Sequence, residues 1–372
     1  MMNRRMRKKF DKIYEDSLKE ENIIPLDLKK DCFVIFSDHH KGDGSAADDF
    51  QKNVFLYEAA LSYYKEKGFK LIVLGDNEEL WENRYDQILS IYRDLIMKEI
   101  DMALEVGNKE NKKRKIRIWG NHDKEIFLNR FKKFYKKIDE TLLDNVHHKK
   151  GLCLSEDIFL IHGHQGRFFD DIAWRVSRWA VQFIWKKIQK IFHIGNDGPA
   201  ENFKIRDDLE LAYYQWAKGK KLMLICGHTH RAIFGSLTHL DHLQIEINHL
   251  EKNLRKIPSG EEKEKMKKEI EHKKVKIKKI LEKRKGQLPK SFERKPEWPV
   301  PCYFNDGCCC YTNGITCLEI EKGTIRLAKW HRQNRERIVF SEGNVSQILN
   351  YIKESRPIDE AFEPKVANFS LT

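Results

Sequence analysis

The stretch that decides the fold is Cys32-Phe33-Val34-Ile35-Phe36, followed at once by Ser37-Asp38-His39-His40. A short, wholly apolar run reads as a buried strand, and the polar cluster that stops it reads as a loop at the strand's carboxyl end. The same event recurs four times. Leu71-Ile72-Val73-Leu74 runs into Gly75-Asp76, and Ile116-Arg117-Ile118-Trp119 into Gly120-Asn121-His122-Asp123. Ile158-Phe159-Leu160-Ile161 runs into His162-Gly163-His164, and Leu222-Met223-Leu224-Ile225-Cys226 into Gly227-His228-Thr229-His230.

Between these runs lie helical spacings, for example Phe50, Val54, Tyr57, Leu61 and Tyr64, closed by Gly68. Strand, polar loop and helix in alternation predict an α/β layered core. Loops at the carboxyl ends of strands in open α/β sheets share one crevice, so the five polar clusters are expected to meet in space. Singly they are weak signals, because an Asp or His at a strand end is commonly a cap or turn residue. Together they supply more metal-type donors than turns require.

After Gly227 the pattern changes. The alternation Leu243-Gln244-Ile245-Glu246-Ile247 predicts a strand, and Asn313-Gly314 and Lys322-Gly323 predict hairpin turns. Cys302 to Trp330 is expected to form antiparallel strands that complete a second sheet, with a helix over Val345–Ile352 and a tail beyond it. Two excursions interrupt the plan. Residues 167–220 carry the apolar stripe Phe169, Ile172, Val176, Trp179, Phe183 and Ile188, and residues 248–296 read as a helical hairpin broken at Pro258-Ser259-Gly260, with Ser259 and Glu262 as a capping box.

The 372 residues fit about two structural units, or one core with large excursions, and 40% apolar residues exclude global disorder. No window approaches 18 uncharged apolar residues, and the basic start Arg4-Arg5-Met6-Arg7-Lys8-Lys9 precedes no apolar run. The expectation is a protein that is cytoplasmic or peripheral on the inner membrane surface. The eight cysteines lack zinc-finger spacing and read as buried reduced thiols, against a structural metal or disulfide cluster at Cys302 to Cys317.

Across all five elements the residues resemble the calcineurin-like metallophosphoesterase superfamily, in the same motif order, over about Asp31 to Arg231 and with the second sheet continuing to Trp330. The resemblance implies a two-sheet β-sandwich flanked by helices as the body, residues 31–340. It would be preceded by an extension at 1–30, interrupted by a helical lid (167–220) and a basic hairpin (248–296), and followed by a helix and tail at 341–372. It also implies two adjacent metal sites: Asp38, His40 and His230 for one ion, Asn121, His162 and His228 for the other, and Asp76 as the bridge. Only a carboxylate among these donors offers two oxygens for bridging. The mixed donor set suits two divalent ions of Mn, Fe or Zn. The reaction implied is attack by a metal-bridging hydroxide on a phosphomonoester, phosphodiester or pyrophosphate. His122 would face the leaving group and Glu79 would orient His122. His39, between two ligands, is expected to point away; His164 would line the cleft or support a ligand.

Gly75-Asp76-Asn77-Glu78-Glu79-Leu80-Trp81 is similar to the Gly-Asp-x-x-Glu-x-Trp segment of bacterial UDP-diacylglucosamine pyrophosphatases, which implies a lipid-linked substrate as an alternative to a phosphorylated small molecule. The chain departs from that subfamily in having His122 where Arg is usual and His164 where Asp is usual. A nuclease and a non-catalytic binding protein stand as further alternatives. The formal charge of +13 is local: residues 249–296 hold 18 Lys+Arg and 8 Asp+Glu. That excursion is either a solvated strut or a docking arm for an anionic membrane surface or nucleic acid.

Overall fold

The computed structural model describes residues 2–19, 22–107, 113–123, 146–165, 203–258, 260–283 and 299–355. Two main sheets form the body. In spatial order the first holds β1 (Ile23–Ile24), β7 (Gly151–Leu154), β8 (Ile158–Ile161), β9 (Met223–Cys226), β12 (Tyr303–Asn305), β10 (Ile233–Phe234) and β11 (Leu237–Thr238). The second holds β15 (Arg337–Asn344), β14 (Thr324–His331), β13 (Gly314–Glu321), β2 (Cys32–Phe36) and β3 (Lys70–Val73). A small sheet of β4 (Glu105–Gly107), β5 (Lys113–Ile118) and β6 (Val146–Lys149) meets the β3 edge through a parallel bridge between Leu74 and Ile118.

Strand periodicity explains how one sheet serves two cores. Successive side chains of a strand point to opposite faces. Phe33 and Ile35 of β2 and Ile72 of β3 enter the cluster shared with the first sheet, beside Leu160 and Ile225. Val34, Phe36, Leu71 and Val73 enter a second cluster beneath α2 (Val54–Glu66) and α3 (Tyr85–Met102), where they meet Tyr57, Leu61 and Ile88. The first sheet is flanked by α1 (Arg4–Ser17) and α4 (Phe203–Lys220), whose Phe10, Tyr14, Tyr213 and Trp216 interlock with Phe159. The N-terminal residues thus belong to the body's core, with β1 paired to β7.

Four local expectations are corrected. Leu243–Ile247 is helical, lying within α5 (His239–Leu254). The Thr238 hydroxyl accepts from the Asp241 backbone N–H while Asp241 accepts from that of Thr238, a capping box that starts a helix, and Leu243 and Ile247 are then buried one turn apart. The helical hairpin accordingly begins nine residues before 248, and its second arm is α6 (Glu261–Lys283). Cys302 to Trp330 is divided between the sheets: β13 and β14 are the antiparallel pair expected, whereas β12 runs parallel to β9 in the first sheet. Cys308–Cys310 is a loop and not a strand, with Cys308 and Cys309 buried, and all eight cysteines are free.

The chain ends its described part in α7 (Val345–Glu354). The Phe169–Ile188 stripe and Ser259 lie outside the described residues. Among the described residues no helix is long and apolar enough to cross a membrane.

Candidate metal centre

The carboxyl ends of β2 and β3 in one sheet, and of β8 and β9 in the other, bring their loops to one place. The loops are stitched together by the backbone. Asp38 N–H donates to Gly75 O at 3.1 Å, His40 N–H to Asp76 O at 3.0 Å, and Gly227 N–H to His162 O at 3.1 Å.

Five of the predicted ligands have left-handed backbone: Asp38 (φ 53°), His40 (52°), Asp76 (50°), His228 (67°) and His230 (53°). Non-glycine residues adopt this conformation rarely, at a cost of about 1–3 kcal/mol each. Here it lets residues i and i+2 of one loop both reach the site. His39, between Asp38 and His40, is buried on the other side, edge-on to Tyr57 and Phe50 at 4.6 and 5.4 Å between ring centroids. Glycine clears the space: a Cβ on Gly120 would stand 2.0 Å from Asp76 Oδ1.

Three groups of donors result, each with its ligand atoms within 4.8 Å of one another, and one of them, His40, Glu79 and His122, lies at the rim. The other two are Asp38, His40 and His230, and Asp76, His162 and His228. Asp38 Oδ1 lies 3.1 Å from His230 Nε2, and His40 Nε2 lies 3.2 Å from the same nitrogen. His162 donates Nδ1–H to the carbonyl of Leu74 at 2.8 Å, which turns Nε2 toward Asp76 Oδ2 at 3.0 Å. Asp76 Oδ1 accepts the backbone N–H of His122 at 2.8 Å. Asn121, one residue earlier, is 4% exposed.

The electrostatics follow from this crowding. Burial alone would raise the carboxyls, yet His230 and His162 hold Asp38 well below the usual range, and His162 and His122 do the same for Asp76. Burial opposes charging of the imidazoles, but Asp76 and Asp38 lift His162 to about 9, and Asp38 lifts His230 to about 10. The cluster therefore balances its buried acids with protons that a divalent cation would displace. The decisive observation is what remains unmatched: Asp38 Oδ1, Asn121 Oδ1 and His162 Nε2 are buried without a hydrogen-bond partner. A carboxylate oxygen, an amide oxygen and an imidazole nitrogen, the last a lone-pair donor once its proton is displaced, fit a divalent ion bound by mixed N and O ligands.

Glu79 and His122 stand at the rim. Glu79 Oε1 is 2.8 Å from His122 Nδ1 and its other oxygen 2.8 Å from His40 Nδ1. Desolvation opposes its charge, yet the carboxyl is held at about 2, by His122 first and then His40. His122 stacks on Trp81, rings 3.9 Å apart and 23° from parallel, while Trp81 Nε1–H donates to Asn121 O. His164 is buried with its ring 5.5 Å from that of His162. His147 and His148 lie on β6 and His239 and His242 at the start of α5, outside the donor groups.

Sequence reading missed the supports. The wholly buried Lys41 donates to Asn77 Oδ1 at 2.5 Å and Glu99 Oε1 at 2.6 Å, and Arg117 reaches both oxygens of Glu78 at 2.9 Å. Asp123 accepts from Gly120 N and Asn77 N at 2.6 and 3.0 Å. Tyr213 of α4 donates to Gly163 O at 2.9 Å, and Arg231 is fastened to Glu210 and Asp207 of the same helix, so α4 braces the His162 and His230 loops together. Charged residues in apolar runs, such as Arg117 in β5, were the available signal.

The family model described as calcineurin-like phosphoesterase matches residues 32–232, more than half of the chain, and spans every donor named above. No curated protein matches the chain.

Proposed function

This chain belongs to the calcineurin-like phosphoesterase family, and from that premise we propose that it hydrolyses a phosphomonoester, phosphodiester or pyrophosphate at a centre of two divalent ions. The domain is that of a hydrolase acting on phosphate esters. Asp38, His40 and His230 would hold one ion, Asn121, His162 and His228 the other, with Asp76 shared between them. The observation that carries this reading is the set of buried polar atoms without a hydrogen-bond partner on Asp38, Asn121 and His162. When bound, such ions acidify water and neutralise phosphoryl charge; the donor set suits Mn, Fe or Zn.

The chain's own residues supply the rest. Glu79 fixes His122 through Nδ1 and Trp81 fixes the plane of its ring, so Nε2 is the nitrogen left to donate to the leaving oxygen. At 21% side-chain exposure His122 is open to substrate, whereas His162 is fully buried. The likeness of the Gly75–Trp81 segment supports, as a second reading, a lipid-linked diphosphate.

The test is metal-dependent hydrolysis of aryl phosphate and bis-aryl phosphate, extended to cyclic diesters, nucleotide diphosphates and UDP-lipids. Asp76→Ala is expected to abolish turnover and lower bound metal in elemental analysis; unchanged turnover would refute the shared-carboxylate assignment.

For a partner, we propose that α6 docks on the phosphate backbone of duplex nucleic acid. Lys265, Lys268, Lys276 and Lys279 repeat at helical spacing along one exposed stripe and have no ion pair among the described residues. The opposite face is spent on α5, where Ile270 is buried and Lys273 pairs with Glu246. A membrane-adsorbed helix needs a free apolar face, and single-strand binding needs aromatics, which residues 263–283 lack.

A further inference from the structure

Asp306 sits in the turn between β12 and β13, fully buried, and is not one of the seven proposed ligands. Its Oδ1 lies 2.8 Å from Ser37 Oγ. The same hydroxyl is hydrogen-bonded to Oδ2 of Asp38, an oxygen that also accepts the backbone N–H of His228 at 2.9 Å. One serine hydroxyl therefore stands between two carboxyl groups, and it owns a single proton. Were both carboxyls ionised, that proton could serve only one of them. The other would press a lone pair against the lone pairs of Ser37, with no water to relieve it.

We propose that Asp306 is a positioning residue that carries its own proton, donating it to Ser37, which in turn donates to Asp38. The chain Asp306–Ser37–Asp38 would then be a one-way relay of hydrogen-bond donors. Its effect is to saturate Oδ2 of Asp38 with two donors, from Ser37 and from the backbone of His228, and so to leave Oδ1 as the oxygen that faces a cation.

Two observations fix which end holds the extra proton. Asp38 is the carboxyl turned to donors on both oxygens, Oδ2 accepting the backbone N–H of His228 at 2.9 Å and Oδ1 lying 3.1 Å from His230 Nε2. At Asp306 burial, and after it the charge of Asp38, pushes the carboxyl well above the usual range, outweighing the bond to Ser37 and the charge of His162 that act the other way. Its second oxygen, Oδ2, is buried without a hydrogen-bond partner. An unmatched neutral carbonyl oxygen is far cheaper to bury than half of a bare carboxylate.

The part of this inference that concerns cation binding rests on Asp38 being a ligand, as proposed above; the proton assignment does not. The experiment separates the two. Infrared difference spectra of wild type against Asp306→Asn, in metal-free protein, are expected to show loss of one protonated-carboxyl C=O band. Titration with Mn2+ by calorimetry is expected to leave Asp306→Asn, whose amide can still donate to Ser37, within about threefold of wild type, while Asp306→Ala and Ser37→Ala lose about 10- to 100-fold in affinity. Absence of the band overturns the proposal, and so does an Asp306→Asn protein as impaired as Asp306→Ala. Should Asp306→Ala fail to fold, the band and the Asp306→Asn titration decide alone. Wild-type protein that shows the band but binds no Mn2+ refutes the metal-centre reading and leaves the proton chain standing.

Discussion

The carboxylate of Glu79 stands 2.8 Å from Nδ1 of His122, and its second oxygen serves His40 in the same way. One acid thus sets the orientation of a proposed ligand and of the proposed acid together. Oε2 is within reach of both Nδ1 atoms, 2.7 Å from that of His122, so glutamine loses the charge that both imidazoles face and turns an N–H2 toward one of the two Nδ1–H groups. Glu79→Gln is expected to lower kcat about 10- to 100-fold and to weaken metal binding, because partners that orient ligands contribute on that scale. Steady-state kinetics with an aryl phosphate and a Mn2+ titration check it. A kcat within twofold of wild type would assign Glu79 a solvated, non-orienting role.

Lys41 offers a test of the support beneath Asp76. Its ammonium is wholly buried between Glu99 and Asn77, and Asn77 in turn bonds Glu78 and Glu99. Lys41→Met leaves Glu99 charged, buried and unpaired, which costs about 3–5 kcal/mol. Adding Glu99→Gln removes the stranded charge and is expected to recover a large part of that loss. Urea unfolding of the single and double variants measures both, and additive losses would show that the pair is not coupled.

These supports mark the boundary of what the sequence makes legible. The ligand positions are readable because each is local: an apolar run ends, and within three residues a donor appears, as at Phe36 and Asp38. Lys41 and Glu99 are 58 positions apart, and Ser37 and Asp306 are 269 apart. No periodicity links such pairs; only the packing of α3 against β3 and the placing of β12 beside β9 bring them together. The misread Leu243–Ile247 has a different cause. Over five residues a period of two and a one-turn spacing place Leu243 and Ile247 on one face alike, so only the cap at Thr238 decides.

His242 predicts a pH dependence of folding. It is 7% exposed at the start of α5, and burial first, then neighbouring His239, lowers it from 6.5 to about 4. The folded state therefore binds fewer protons than the unfolded chain between these values. Its contribution is fully present above pH 6.5 and is lost as pH falls toward 4, by about 3 kcal/mol at most. In His242→Leu the stability difference between pH 7.5 and 4.5 should shrink by that order in urea unfolding. An unchanged difference would show that His242 charges freely in the folded protein.

The lysine stripe on α6 can be tested apart from the chemistry. If Lys265, Lys268, Lys276 and Lys279 each meet one phosphate, binding of duplex DNA should weaken with salt along a log–log slope of about −4. Replacing all four by Gln should abolish that binding. Hydrolysis of an aryl phosphate should be untouched, because none of the four belongs to the donor groups. The competing surface is an anionic membrane, where each basic residue contributes about 1 kcal/mol. Vesicles containing phosphatidylglycerol provide that arm. Sedimentation with vesicles but not with duplex would overturn the nucleic-acid assignment, and so would a quadruple variant that binds duplex as wild type does. Duplex binding lost only in the variant would instead place the excess charge of the chain in a docking arm separate from its hydrolytic site.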